Sequence, residues 1–115
     1  MRRIYLIVLI LNFMKISNEK EIPLRKIKNL LSFVYDEISV NPEYRQYHPD
    51  FPLETNMVVR NILLNNEVLV LANDDIVYLK QDMCLESIFE KHPEHRADEK
   101  ILHMIEAFIR YDKEV

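Results

Sequence analysis

The chain has 115 residues, 49% of them hydrophobic and 30% charged, with a formal net charge of −4 and a single cysteine, Cys84. That is one domain's length with enough apolar content to exclude a disordered acidic tail, and too little cysteine for a disulfide scaffold. Glycine is absent, which excludes Gly-rich phosphate loops, dinucleotide fingerprints and G-x-S-x-G nucleophile elbows.

Met1-Arg2-Arg3 precedes an apolar run from Ile4 to Met14, broken only by Asn12. A charged start before an apolar stretch has the form of a secretory signal or anchor. The run spans roughly 11 residues, too few for a membrane helix of about 20, and no small-x-small cleavage site follows. The reading preferred here is a helix from Arg3 to about Ile16, retained and buried on nearly all sides. A lone cysteine suits a reducing, cytoplasmic setting.

A polar stretch over residues 17–21 breaks the pattern, and Pro23 sits where a helix's first turn tolerates it. Leu24, Ile27, Leu30, Leu31, Val34 and Ile38 then recur at helical spacing, the clearest amphipathic helix in the chain. Three prolines among residues 42–52 make the next segment a loop. Tyr44, Tyr47 and Phe51 are the side chains expected to pin it to the body. Thr55 or Asn56 is placed to cap a helix to about Asn65, with Met57, Val58, Ile62 and Leu63 or Leu64 inward. Val68 to Leu71 and Ile76 to Leu79, around Asn73-Asp74-Asp75, read as a β-hairpin. Asp82 is placed to cap a helix to about His92. After Pro93, Ile101, Met104, Ile105 and Phe108 stripe a last helix ending near Asp112.

The expected fold is therefore α+β, mostly helical and winged-helix-like, helices plus one β-hairpin, in a single domain over residues 1–115. Its body covers about 3–80 and its C-terminal helices about 82–112. The alternative is an α+β fold of another design.

Residues 1–60 carry a charge balance of +2 and residues 61–115 one of −6, which weighs against wholesale coating of nucleic acid. Winged-helix proteins often read DNA with the helix before the hairpin and with the wing. Here that helix offers one cation, Arg60, and the wing tip is acidic, so phosphate is repelled. The remaining cationic candidates are Arg25, Lys26 and Lys28, which suit an acidic partner or a phosphate backbone. Ile101, Ile105 and Phe108, on a helix rimmed by acidic residues, either close the chain's own core or form a seam with a second copy or another subunit.

Catalytic and metal chemistry are weakly represented. His48-Pro49-Asp50 is the tripeptide of J-domain co-chaperones, whose mechanism needs it between two antiparallel helices, the first of them basic. Pro42 interrupts any such helix, and Phe51 stands where that family usually has lysine, so His48 and Asp50 read as turn residues. His92, Glu94, His95, Glu99 and His103 are metal-type side chains whose spacing matches no strong zinc signature, and no metal or cofactor is expected. Cys84 lies in an apolar run without a partner base, and no enzyme activity is expected.

The order of elements resembles the small middle-component subunits of three-component bacterial defence systems built around a large ABC-type ATPase. The likeness covers about residues 3–80. It rests on Arg2-Arg3-Ile4-Tyr5-Leu6 before an Ile/Leu-rich helix, on Ile22-Pro23-Leu24-Arg25-Lys26-Ile27, and on a helix leading into a wing that ends Ile76-Val77-Tyr78-Leu79-Lys80. That family's usual glycine near the hairpin is replaced here by Asn65-Asn66 or Asn73-Asp74. The resemblance implies a non-enzymatic cytoplasmic adaptor joining ATPase and effector subunits, without membrane contact. The alternative function is a winged-helix DNA-binding regulator using the Arg25, Lys26 and Lys28 patch.

Overall fold

The computed structural model describes residues 2–51 and 56–114. Its elements in chain order are β1 (Arg2–Ile4), α1 (Leu6–Ser17), β2 (Glu21–Pro23), α2 (Leu24–Val40), a 3-10 turn (Pro42–Tyr44), β3 (Tyr47–Pro49) and α3 (Asn56–Leu64). There follow β4 (Leu69–Leu71), β5 (Ile76–Leu79), α4 (Leu85–Lys91), a second 3-10 turn (Pro93–His95) and α5 (Glu99–Glu114). The chain is thus an α+β fold, mostly helical. Thr55, one of the expected caps of α3, lies outside the described residues.

α1 is apolar on every side because it is covered on every side. Leu9, Ile10 and Leu11 are fully buried, and Leu6, Phe13 and Met14 nearly so. No helix among the described residues is long and apolar enough to cross a membrane. Phe108 of α5 seals the far side, its ring 5.9 Å from Phe13 and 5.6 Å from Phe33 of α2. Side chains from all five helices join one apolar core. Of the two readings of the last helix's stripe, the fold takes the first: Ile101, Met104, Ile105 and Phe108 of α5 belong to this core.

Two expectations about the chain's front half change. Arg2 to Ile4 is a strand and not the first turn of a helix: β1 runs parallel to β3, with Arg3 opposite His48 and Ile4 opposite Pro49. The Arg2 N–H donates to the Gln46 carbonyl at 2.8 Å, and the Asp50 N–H donates to the Ile4 carbonyl at 2.8 Å. Pro49 is tolerated because it ends a short edge strand, where its missing N–H breaks no central ladder. The His-Pro-Asp tripeptide therefore lies on and just beyond a strand within the α2–α3 connection, held by β1, and not in the free interhelical loop a J-domain requires. Tyr44, Tyr47 and Phe51 are buried and pin this segment as expected, and the Tyr35 hydroxyl donates to the Phe51 carbonyl.

The second change lies in the polar stretch before Pro23. Glu21–Pro23 is a strand, and it extends the hairpin into a three-stranded antiparallel sheet of order β2-β5-β4. Ile22 faces Val77 across that pairing, and both are fully buried. A strand this short has too few alternating positions to register as a pattern in sequence. Pro23 is the residue before α2 rather than its first helical position.

A chain without glycine must still make left-handed turns, and asparagine and aspartate take those positions. Asn18 ends α1 at φ 58°, Asp75 closes the hairpin at φ 60°, and Asp82 sits at φ 64°. In the hairpin the Asp75 N–H donates to the Ala72 carbonyl at 3.0 Å, and the Ala72 N–H donates to that of Ile76 at 2.9 Å. This is a three-residue loop with its left-handed residue at the bulge. Asp82 does not cap α4 as expected. It occupies a turn closed by the Met83 N–H and the Lys80 carbonyl at 3.1 Å, and Cys84 precedes the helix.

Candidate partner-binding surface

α3 has the sequence Asn-Met-Val-Val-Arg-Asn-Ile-Leu-Leu, apolar on more than one side. Periodicity alone therefore cannot fix which side turns inward. In the fold, Val59 and Leu63, one helical turn apart, enter the core. Met57 and Val58, expected inward, lie outside, and so does Leu64. Met57 is 71% exposed, Leu64 61% and Val58 37%. With exposed Asn61 they give α3 an outer face that is apolar and uncharged.

The one cation of α3 is committed elsewhere. The Arg60 guanidinium forms a fork on the Asp75 carboxylate, with both N–O distances 3.0 Å. That hydrogen bond, with the charges of Arg60 and Lys28, holds the Asp75 carboxyl below its usual range against the opposing effect of desolvation. The pair joins the middle of α3 to the tip of the β4–β5 hairpin. The turn between α3 and β4 is fixed by Asn66, whose side-chain amide donates to the Leu63 carbonyl at 2.6 Å and the Leu69 carbonyl at 3.1 Å. Its side-chain oxygen accepts from the Val68 N–H at 2.9 Å and the Leu69 N–H at 2.5 Å.

Of the expected basic patch on α2, Lys26 is set apart from the other two cations. Lys26 is drawn to Glu19 at 3.1 Å and Asp112 at 3.7 Å, bridging the end of α1 to α5. Lys28 faces the Asp75 side, and Arg25 is exposed. Consecutive helical residues point about 100° apart, which turns Lys26 away, while Arg25 and Lys28, three positions apart, stay on one side of the helix. Ile101, Ile105 and Phe108 are not on the surface either. They are buried in this chain's own core, so a partner cannot reach them without displacing α5.

The start of α5 is organised by Asp98. Its carboxylate accepts from the Ile101 N–H at 3.0 Å as an N-cap, from the Tyr47 hydroxyl at 2.6 Å and from Arg2 at 3.0 Å. Burial pushes the Asp98 carboxyl up, and these three donors more than offset it, leaving it below its usual range. Of the five metal-type side chains, His92, Glu94 and His95 converge, and Glu99 and His103 stay outside that group.

A groove of about 680 Å³ lies between Asn18, Tyr78, Met83 and Leu85. Cys84 opens onto it beside Glu19, Lys20, Glu21 and Glu86. Comparison with known proteins returns no matching family model, no matching curated protein and no matching solved structure.

Proposed function

We propose that this chain is a non-enzymatic, winged-helix adaptor whose α3 face docks on a partner protein. The observation that carries the reading is that outer face, with Met57, Val58 and Leu64 exposed and Arg60 held on Asp75. Duplex DNA rewards cations placed against phosphates, whereas exposed aliphatic side chains on a helix reward an apolar protein groove. The order helix, strand, helix, helix and hairpin, with β2 paired to β5, supports the winged-helix reading. The resemblance to middle-component subunits of ABC-ATPase defence systems suits such an adaptor, with ATPase or effector subunits as partners in the cytoplasm.

The deciding experiment is a fluorescence-anisotropy titration of the isolated chain against duplex DNA at physiological salt. The adaptor reading expects no binding tighter than about 1 µM, the tight end of the range for non-specific contact. Submicromolar binding that falls steeply with added salt would overturn it in favour of a DNA-binding regulator. In a reconstituted complex with an ATPase encoded beside it, Met57→Asp with Leu64→Asp should abolish co-elution while the chain remains folded.

A further inference from the structure

We propose that His92, Glu94 and His95 form a binding site for a divalent transition-metal ion, zinc first among them. One ligand atom from each of the three side chains lies within 4.8 Å of the other two. The His92 Nδ1 is 3.1 Å from the Glu94 Oε1, close to the edge of roughly 3.3 Å that bonds of about 2.0 Å define in a tetrahedron around zinc. The two imidazole rings lie 5.5 Å apart between centroids, so a rotation of the half-buried His95 ring completes the set. Two imidazoles and one carboxylate suit a borderline ion such as zinc, cobalt or nickel; calcium and magnesium prefer oxygen ligands throughout.

The backbone that presents the three ligands is already fixed. The His92 N–H donates to the Ile88 carbonyl at 2.8 Å, and the His95 N–H donates to the His92 carbonyl at 2.9 Å. Pro93 begins the 3-10 turn between them with its φ locked by the ring. The turn is also anchored from inside the protein. Asn12, the buried polar residue of the described core at 4% exposure, donates from its side-chain amide to the His95 carbonyl at 2.9 Å. Its oxygen accepts from the Ala97 N–H at 3.5 Å. A buried amide that reaches from the central helix to this turn leaves only one exposed and two half-buried side chains to order when the ion binds. Three protein ligands leave a fourth position for water. The bound ion would clamp the joint between α4 and α5, just ahead of the Asp98 cap, in a structural role.

The full chain, stripped with chelator and dialysed, is titrated calorimetrically with zinc chloride and spectroscopically with cobalt chloride. One zinc per chain is expected, with a dissociation constant of about 10 µM or tighter, and cobalt should show the visible absorption of a low-symmetry site. His92→Gln, Glu94→Gln and His95→Gln should each weaken zinc binding by about tenfold or more. His103→Gln, at an exposed histidine outside the cluster, should leave it unchanged. The site is refuted if the wild-type chain takes up no stoichiometric zinc at about 100 µM. Unchanged affinity in the His92→Gln, His95→Gln double variant would refute it equally.

Discussion

α3 and α5 are both amphipathic helices with apolar residues to spare, yet the fold uses them in opposite ways. α5 turns Ile101, Met104, Ile105 and Phe108 against α1 and α2, where all four are buried. α3 gives Val59 and Leu63 to the core and leaves Met57, Val58 and Leu64 in water. Composition does not separate them, since α5 is the more polar helix of the two by sequence. What separates them is coverage: α1 leaves a whole side open that only α5 can close, while nothing among the described residues covers the outer side of α3. The more perfect stripe is therefore a core element, and the blurred one carries the candidate surface.

Matched charge insertions should break this comparison most sharply. Ile105→Asp places an unpaired carboxylate at a fully buried position and should cost more than about 4 kcal/mol, enough to abolish a cooperative melt. Met57→Asp with Leu64→Asp, on the exposed face, should change stability by about 0.5 kcal/mol or less per site. Chemical denaturation followed by circular dichroism reads both. Equal losses in the two variants would mean that α3 is packed as deeply as α5.

Leu9→Ala comes next. Leu9 is fully buried in the helix that α3 and α5 both lean on, so a loss of roughly 2–5 kcal/mol is expected from transfer and cavity effects together. A loss below about 1 kcal/mol would mean that α1 is not the centre of the core. The same measurement bears on the N-terminal run, because a chain cleaved after about residue 17 would lack α1 and should not fold.

A smaller effect sharpens how α5 is held. Asp98→Asn keeps an acceptor for the Ile101 N–H but loses the carboxylate shared by Tyr47 and Arg2, at a cost of about 1 kcal/mol near neutral pH. The Asp98 carboxyl is depressed in the fold, so its contribution is fully present above the unfolded value of about 3.9 and is lost as pH falls through the lower folded value. Urea unfolding should therefore separate wild type from variant at pH 7 and bring them together toward pH 2–3. A gap that stays constant over that range would contradict the assignment. The smallest effect is a gain: Asn18→Gly relieves a left-handed residue at the end of α1 and should stabilise by a few tenths of a kcal/mol.

Some of this was legible in the residues. The spacing of Leu24, Ile27, Leu30, Leu31 and Val34 marks α2, and all five are buried. The hairpin is visible because two β-rich runs flank Asn73-Asp74-Asp75, a turn that needs no distant contact to form. The candidate surface was much less legible. Arg25, Lys26 and Lys28 look like one patch in a linear sequence, but Lys26 is turned away to Glu19 and Asp112. Met57 and Val58 were read as core because a nine-residue helix that is apolar on several sides has no phase of its own. The one signal pointing to the histidine turn was Asn12, a single polar residue in an apolar run, whose partner lies 83 residues away.

The sequence by itself determined what local physics decides: which segments are helical, where the hairpin turns, and that no glycine-dependent loop chemistry is present. It also determined that α1 would be buried, because an all-apolar helix has no face to offer water. Only the tertiary structure decided which side of α3 stays outside, that β1 pairs with β3 and β2 with β5, and that His92, Glu94 and His95 meet. Periodicity fixes the spacing of side chains within an element. Exposure and encounter depend on what the rest of the chain covers, and three-residue strands are held by partners more than 40 residues distant in sequence.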